Sequence, residues 1–170
     1  MADFKPAVDL VIEHEVIAYG TDHEIDYSNV AGDHGGETKY GISKATFPNV
    51  DIKDLSEADA RQIYFDSYWA PYQMARITDQ HIANFIFDLL VNMGPGHDFQ
   101  VVQRAVNALG NDLVVDGRAG PATIGAINAA DPVALKAEIG TQAERFYQEL
   151  NQPRFLATWL RRVKDDEARA

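Results

Sequence analysis

The chain has no cysteine, no surplus of basic residues and no long apolar run, and each absence removes a class of protein. Without cysteine there is no disulfide, thiol nucleophile or thiolate metal site, so stability is indifferent to the redox state of the compartment. Fifteen basic residues against 26 acidic ones give a net charge of −11, which argues against a nucleic-acid partner and against passive adhesion to anionic membranes or polymers. Any anionic polymer must instead be held in a shaped groove. No stretch of about 18 apolar residues occurs, so neither a membrane-spanning helix nor stable membrane insertion is expected. The N-terminal MADFKPAVDLVIEHE carries acids inside its apolar stretch and does not read as a signal peptide, so a target outside the inner membrane requires separate delivery. HExxH zinc, Walker-type nucleotide and EF-hand calcium patterns are also missing, and no cofactor is implied.

What is present describes an ordinary globular chain of 170 residues, 46% hydrophobic and 24% charged. That length suits one substantial core, or one main domain with a helical annex. Apolar spacing predicts a first helix from about Asp3 to Tyr19 and Gly20. A polar, glycine-rich stretch follows, in which Ile25 and Tyr27 alternate with acids as in a short strand. Ser43 to Phe47 reads as a short helix, and Ser56 with Asp59 as a capping box opening a helix to about Tyr68. Asp79 to Met93 is apolar nearly all round and reads as the central core helix. Further helices are predicted over Phe99–Leu109, Pro121–Ala129 and Val133–Leu150. Phe155, Trp159 and Val163 then close the fold before a charged tail, KDDEARA. The expected fold is mainly α, with a small β-hairpin or loop element near residues 20–42.

One position stands out chemically. Val8, Val11, Ile12 and Tyr19 recur at steps of three and four, and Glu15 occupies a slot of that same apolar set, whereas Glu13 points away. A carboxylate held against apolar surface is disfavoured in its charged form, so its pKa is expected to rise, as a general acid requires. The bland reading is a structural glutamate at the mouth of the core, bonded to an arginine or to backbone donors.

VIEHEVIAYG, then GDHGGETKYGIS, YFDSYWAPYQ and ANFIFDLLVNMGPG, resemble in order the glycoside hydrolase family 108 N-acetylmuramidases found in phage endolysins. VVDGRAGPATIGAIN resembles the helical peptidoglycan-binding segment that accompanies them. The resemblance implies a lysozyme-like helical fold, with a catalytic region over residues 1–97 and a peptidoglycan-binding region over residues 98–170 packed onto it. It places the family's catalytic glutamate on Glu15, the aspartate of its glycine-rich stretch on Asp33 and its threonine on Thr38. Here the Glu-Gly-Gly-Tyr motif reads Glu15-Val16-Ile17-Ala18-Tyr19, and His34 stands where proline is expected. Glu24 and Asp26 therefore remain alternatives for the second carboxyl.

In the implied chemistry Glu15 protonates the departing oxygen, while Asp33 orients a water or stabilises positive charge on the ring and Thr38 holds that water. Tyr40, Tyr68, Trp69 and Asn92 are candidate sugar-binding residues, each with a core or helix-end alternative. The implied activity is hydrolysis of the β-1,4 bond between N-acetylmuramic acid and N-acetylglucosamine in bacterial peptidoglycan. The glycan strands are the implied partner, and the chain is implied to be a monomer. It would be made in a host bacterial cytoplasm and released to the wall by a holin-like permeabilising protein. Three other readings stand beside it: a lytic transglycosylase on the same bond, a non-catalytic peptidoglycan-binding protein, and a zinc amidase or peptidase. The last would use His14, His23 and His34 with Asp22, Glu24, Asp26 and Asp33, but no compact ligand pattern supports it.

Overall fold

The computed structural model describes residues 1–18, 27–29 and 36–169. Seven α-helices form the described body: α1 (Phe4–Ala18), α2 (Glu57–Tyr64), α3 (Gln80–Met93), α4 (His97–Ala108), α5 (Pro121–Ala129), α6 (Pro132–Glu149) and α7 (Pro153–Ala168). Three two-residue strands, β1 (Tyr27–Ser28), β2 (Thr38–Lys39) and β3 (Ile42–Ser43), make one antiparallel sheet in that order. Tyr27 pairs with Lys39, and Lys39 with Ile42. The mainly helical fold with a small β element is thus as expected.

The apolar run of α3 puts Phe85, Ile86, Phe87, Leu89 and Leu90 out of solvent, because this helix is enclosed by α1, α4, α6 and α7. The helix starts are locally specified. Ser56 and Asp59 cap α2 reciprocally, Asp79 and Asp131 accept backbone N–H groups at the starts of α3 and α6, and Pro121 and Pro132 sit in first turns. The chain leaves α2 through a single π-helical turn, Phe65–Trp69. The loop before α5 is held by Gln103, whose amide donates to Asp116 and accepts from the Gly117 backbone N–H, both at 2.8 Å.

Two expectations are corrected. Ser43–Phe47 is a turn rather than a helix: Phe47 N–H reaches Ser43 O at 2.9 Å, but Pro48 follows at once and no second turn propagates. The charged tail is also no loose end, since α7 runs to Ala168 and buries Val163 and Asp166. Its spacing explains this: Leu156, Trp159, Val163 and Asp166 recur at steps of three and four and line the helix face turned to the body.

Candidate active site

Glu15 stands on the last turns of α1, with its side chain 15% exposed. The sheltered slot read from periodicity is there. Opposite it lies the tip of the β2–β3 hairpin, where Tyr40 (φ 51°) and Gly41 (φ 75°) form a two-residue turn in the left-handed region. Gly41 is required at this point, because a Cβ there would strike Tyr64 Oη and lie 2.7 Å from Glu15 Cγ. Tyr64 Oη donates to the Tyr40 carbonyl at 2.9 Å and fastens the hairpin tip to the core.

The other neighbour of Glu15 comes from α7. Arg162 Nη1 donates to Glu15 Oε1 at 2.9 Å, while Nε and Nη2 of the same guanidinium grip both oxygens of Asp88 at 2.6 and 2.7 Å. An arginine partner is what the bland reading of Glu15 anticipated. Asp88, on α3, has a wholly buried side chain. Burial pushes its carboxyl up, but the Arg162 charge and the His14 hydrogen bond outweigh that and hold it well below the usual carboxylate range. Burial likewise works against the Arg162 charge, which Asp88 and then Glu15 restore.

His14 is buried. Its Nδ1 lies 3.1 Å from Asp88 Oδ1 and its Nε2 lies 2.8 Å from Asp165 Oδ2. Asp88 of α3 and Asp165 of α7 face residue 14 from either side and shield it from water. Glu13 is exposed, as expected, and pairs with Arg169 at 2.8 Å.

A cleft of about 570 Å³ opens beside this network, lined by Glu15, Asn92, Phe155, Trp159, Arg161 and Arg162 among others. Most of these belong to α7. Phe155 is 44% exposed and lies against Trp159, which stacks on Tyr147 at 5.0 Å, so aromatic surface borders the cleft. Asn92 accepts from Tyr147 Oη and also faces the cleft.

The sequence-read residues distribute unevenly. Asp33, Glu24, Asp26, His23, His34 and Tyr19 lie outside the described residues. Thr38 is buried in β2, and its hydroxyl donates to Gly36 O over a long 3.4 Å. Tyr40 is half-buried at the hairpin tip, with Lys39 Nζ 5.5 Å from its ring. Tyr68 is half-buried against Tyr64, and its hydroxyl pKa is raised by burial first, then by Tyr72 and Glu15. Trp69 is corrected: it is 3% exposed, packed edge-on against Phe4 and Phe87, and presents no open face to a sugar. Arg162, Asp88 and Phe155 were not among the expected site residues, and His14 was named only as a ligand in the zinc reading.

Residues 17–94 match the Glycosyl hydrolase 108 family, and residues 97–164 match the family described as Predicted Peptidoglycan domain. The chain therefore carries a family 108 glycosyl hydrolase domain followed by a peptidoglycan-binding domain. Together they make it a glycoside hydrolase that acts on peptidoglycan. The first match opens two residues beyond Glu15, and the second spans α4 to α6 and most of α7, Arg162 included. The chain also resembles the solved structure of Brucella abortus SagA, with a TM-score of 0.78 and 22% identity over 98% of this chain and 92% of that one, a likeness of fold. Among curated proteins, none matches the chain. No helix among the described residues is long and apolar enough to cross a membrane.

Proposed function

We propose that the protein is a muramidase, hydrolysing the β-1,4 bond between N-acetylmuramic acid and N-acetylglucosamine with Glu15 as proton donor. The observation that carries this reading is the placement of Glu15. It is a sheltered carboxyl on the wall of an open cleft, pressed by the tip of a hairpin and faced by a helix that brings aromatic rings and arginines.

Glycoside hydrolysis needs a proton for the leaving oxygen and negative charge, or an aimed water, against the oxocarbenium-like ring. Glu15 supplies the first. Arg162 is the positioning residue: its guanidinium is locked on Asp88 by two bonds and offers Glu15 the remaining donor, so the Glu15 carboxyl is held in one orientation. Asp33 is assigned the second role, with Glu24 and Asp26 as alternatives, and the Thr38 hydroxyl the holding of the water. Tyr40 and Tyr68 on one side of Glu15, and Asn92 and Phe155 in the cleft, are assigned to the sugar rings and their amides.

Residues 1–97 would then form the catalytic region and residues 98–170 the binding region. The resemblance to endolysins extends the proposal to a monomer, made in a bacterial host and reaching the wall with the help of a permeabilising protein.

The test is product chemistry on purified peptidoglycan. Borohydride reduction and mass spectrometry should find N-acetylmuramic acid at the new reducing ends. Reduced N-acetylglucosamine would place the cut at the other bond, and 1,6-anhydro ends would make the enzyme a lytic transglycosylase. Binding without any product would leave only a peptidoglycan-binding protein.

A further inference from the structure

Next to the Arg162–Asp88 pair lies a cluster of His14, Asp88 and Asp166, of which the hydrolytic reading uses only Asp88, as the anchor of Arg162. Asp166 on α7 has a side chain with no solvent exposure, and no N–H or hydroxyl donor reaches either of its carboxyl oxygens; its nearest polar contact is the Asp88 carboxyl. Two buried carboxyls in contact need a cation between them, a proton or a metal ion. Their neighbours sharpen the identity of that cation. His14 Nδ1 lies 3.1 Å from Asp88 Oδ1 and 3.9 Å from Asp166 Oδ1, and one donor atom from each of the three residues falls within 4.8 Å of the others.

We propose that His14, Asp88 and Asp166 bind one divalent transition-metal ion of the zinc class, joining α7 to α1 and α3. Zinc–nitrogen and zinc–oxygen bonds of about 2.0–2.2 Å put tetrahedral ligand atoms about 3.4 Å apart, which the donor triangle meets with sub-ångström adjustments at its tighter edges. One imidazole with two carboxylates suits zinc better than calcium or magnesium, which take oxygen ligands. The histidine is also oriented for ligation. Its Nε2 is held by Asp165 Oδ2 at 2.8 Å, and the ion would displace the Nδ1 proton that now faces Asp88 Oδ1 at 3.1 Å, giving the carboxylate–histidine–metal arrangement seen in zinc sites generally.

Three protein ligands leave the fourth position to a water from the surface cleft that Asp166 lines. The site holds helices together and has no place in the hydrolytic step, unlike the metal-dependent peptidase considered from the sequence. It stands independently of the muramidase assignment.

The 170-residue chain, stripped with chelator and dialysed, is titrated with Zn²⁺ by calorimetry, native mass spectrometry and thermal unfolding. One ion per chain is expected, with a raised Tm. Asp166→Asn should lose saturable binding, and Asp165→Asn should weaken it by about 10- to 100-fold. Absence of uptake by the wild-type chain overturns the proposal, because a proton shared between Asp88 and Asp166 is then the occupant. So does undiminished binding by Asp166→Asn, which would locate the ion elsewhere. Should that variant fail to fold, anomalous scattering at the zinc edge from wild-type crystals decides: a peak bonded to His14 Nδ1 supports the site, and its absence refutes it.

Discussion

Replacing Arg162 by methionine should cost far more than the loss of a surface ion pair. The side chain makes two bonds to Asp88 and one to Glu15, and Asp88 has no solvent to fall back on. Removing one partner of a buried pair leaves an uncompensated charge, at about 3–5 kcal/mol. For a chain of this size, each kcal/mol moves Tm by roughly 2–4 °C, so the variant should melt roughly 6–20 °C lower. Urea unfolding followed by circular dichroism gives the free energy directly. The double variant Arg162→Met, Asp88→Leu should recover most of the loss, because no orphaned charge remains. Arg162→Lys should fall between, since one ammonium cannot reproduce the fork that spans Asp88 and Glu15. A cost below about 1 kcal/mol for Arg162→Met, as exposed pairs give, would refute the buried-network reasoning.

Gly41→Ala should lower activity by an order of magnitude or more. Its Cβ has no space against Glu15 and Tyr64, and φ of 75° strains any L residue; kcat on purified peptidoglycan checks it, and near wild-type turnover would show that the hairpin tip does not shape the site. Phe155→Ala should raise KM with little change in Tm, because the ring is 44% exposed on the cleft; unchanged KM would remove it from sugar binding. Asp98 gives a pH prediction. Burial pushes its carboxyl up to about 7 from 3.8, so the folded state keeps a proton that the unfolded chain has released. Its stabilisation is complete below pH 3.8 and lost as pH rises through 7, on the order of 4 kcal/mol in all. Asp98→Asn should flatten that part of the stability profile, and an unaltered profile would contradict the assignment.

Local rules carried much of the architecture. The all-round apolar pattern of residues 82–90, the Ser56–Asp59 box and the helix opening at Pro121 depend only on near neighbours, and the helices they predict are present. The slot of Glu15 on the apolar face of α1 was legible for the same reason. Its surroundings were not. Arg162 is 147 residues away in sequence, and nothing in local periodicity says which helix α1 will meet. His14 and Asp166 were hidden by the same limit, since a polar residue on a helix looks solvated until the packing partner is known. The clue available was the spacing Leu156, Trp159, Val163, Asp166, which continues the apolar face of α7 into residues read as a charged tail. Trp69 failed differently: a tryptophan beside exposed-looking polar residues reads as a sugar platform, but the π-helical turn at Phe65–Trp69 rotates it into the cluster with Phe4 and Phe87.

The most direct test of the whole account is Glu15→Gln, assayed for release of reducing ends from purified peptidoglycan. The amide keeps the size of the side chain and an oxygen for Arg162 but has no proton to give to the leaving oxygen. Turnover should fall at least about a thousandfold while helicity and binding to peptidoglycan persist. A variant that cleaves at a rate near wild type would contradict the claim that this carboxyl is the acid.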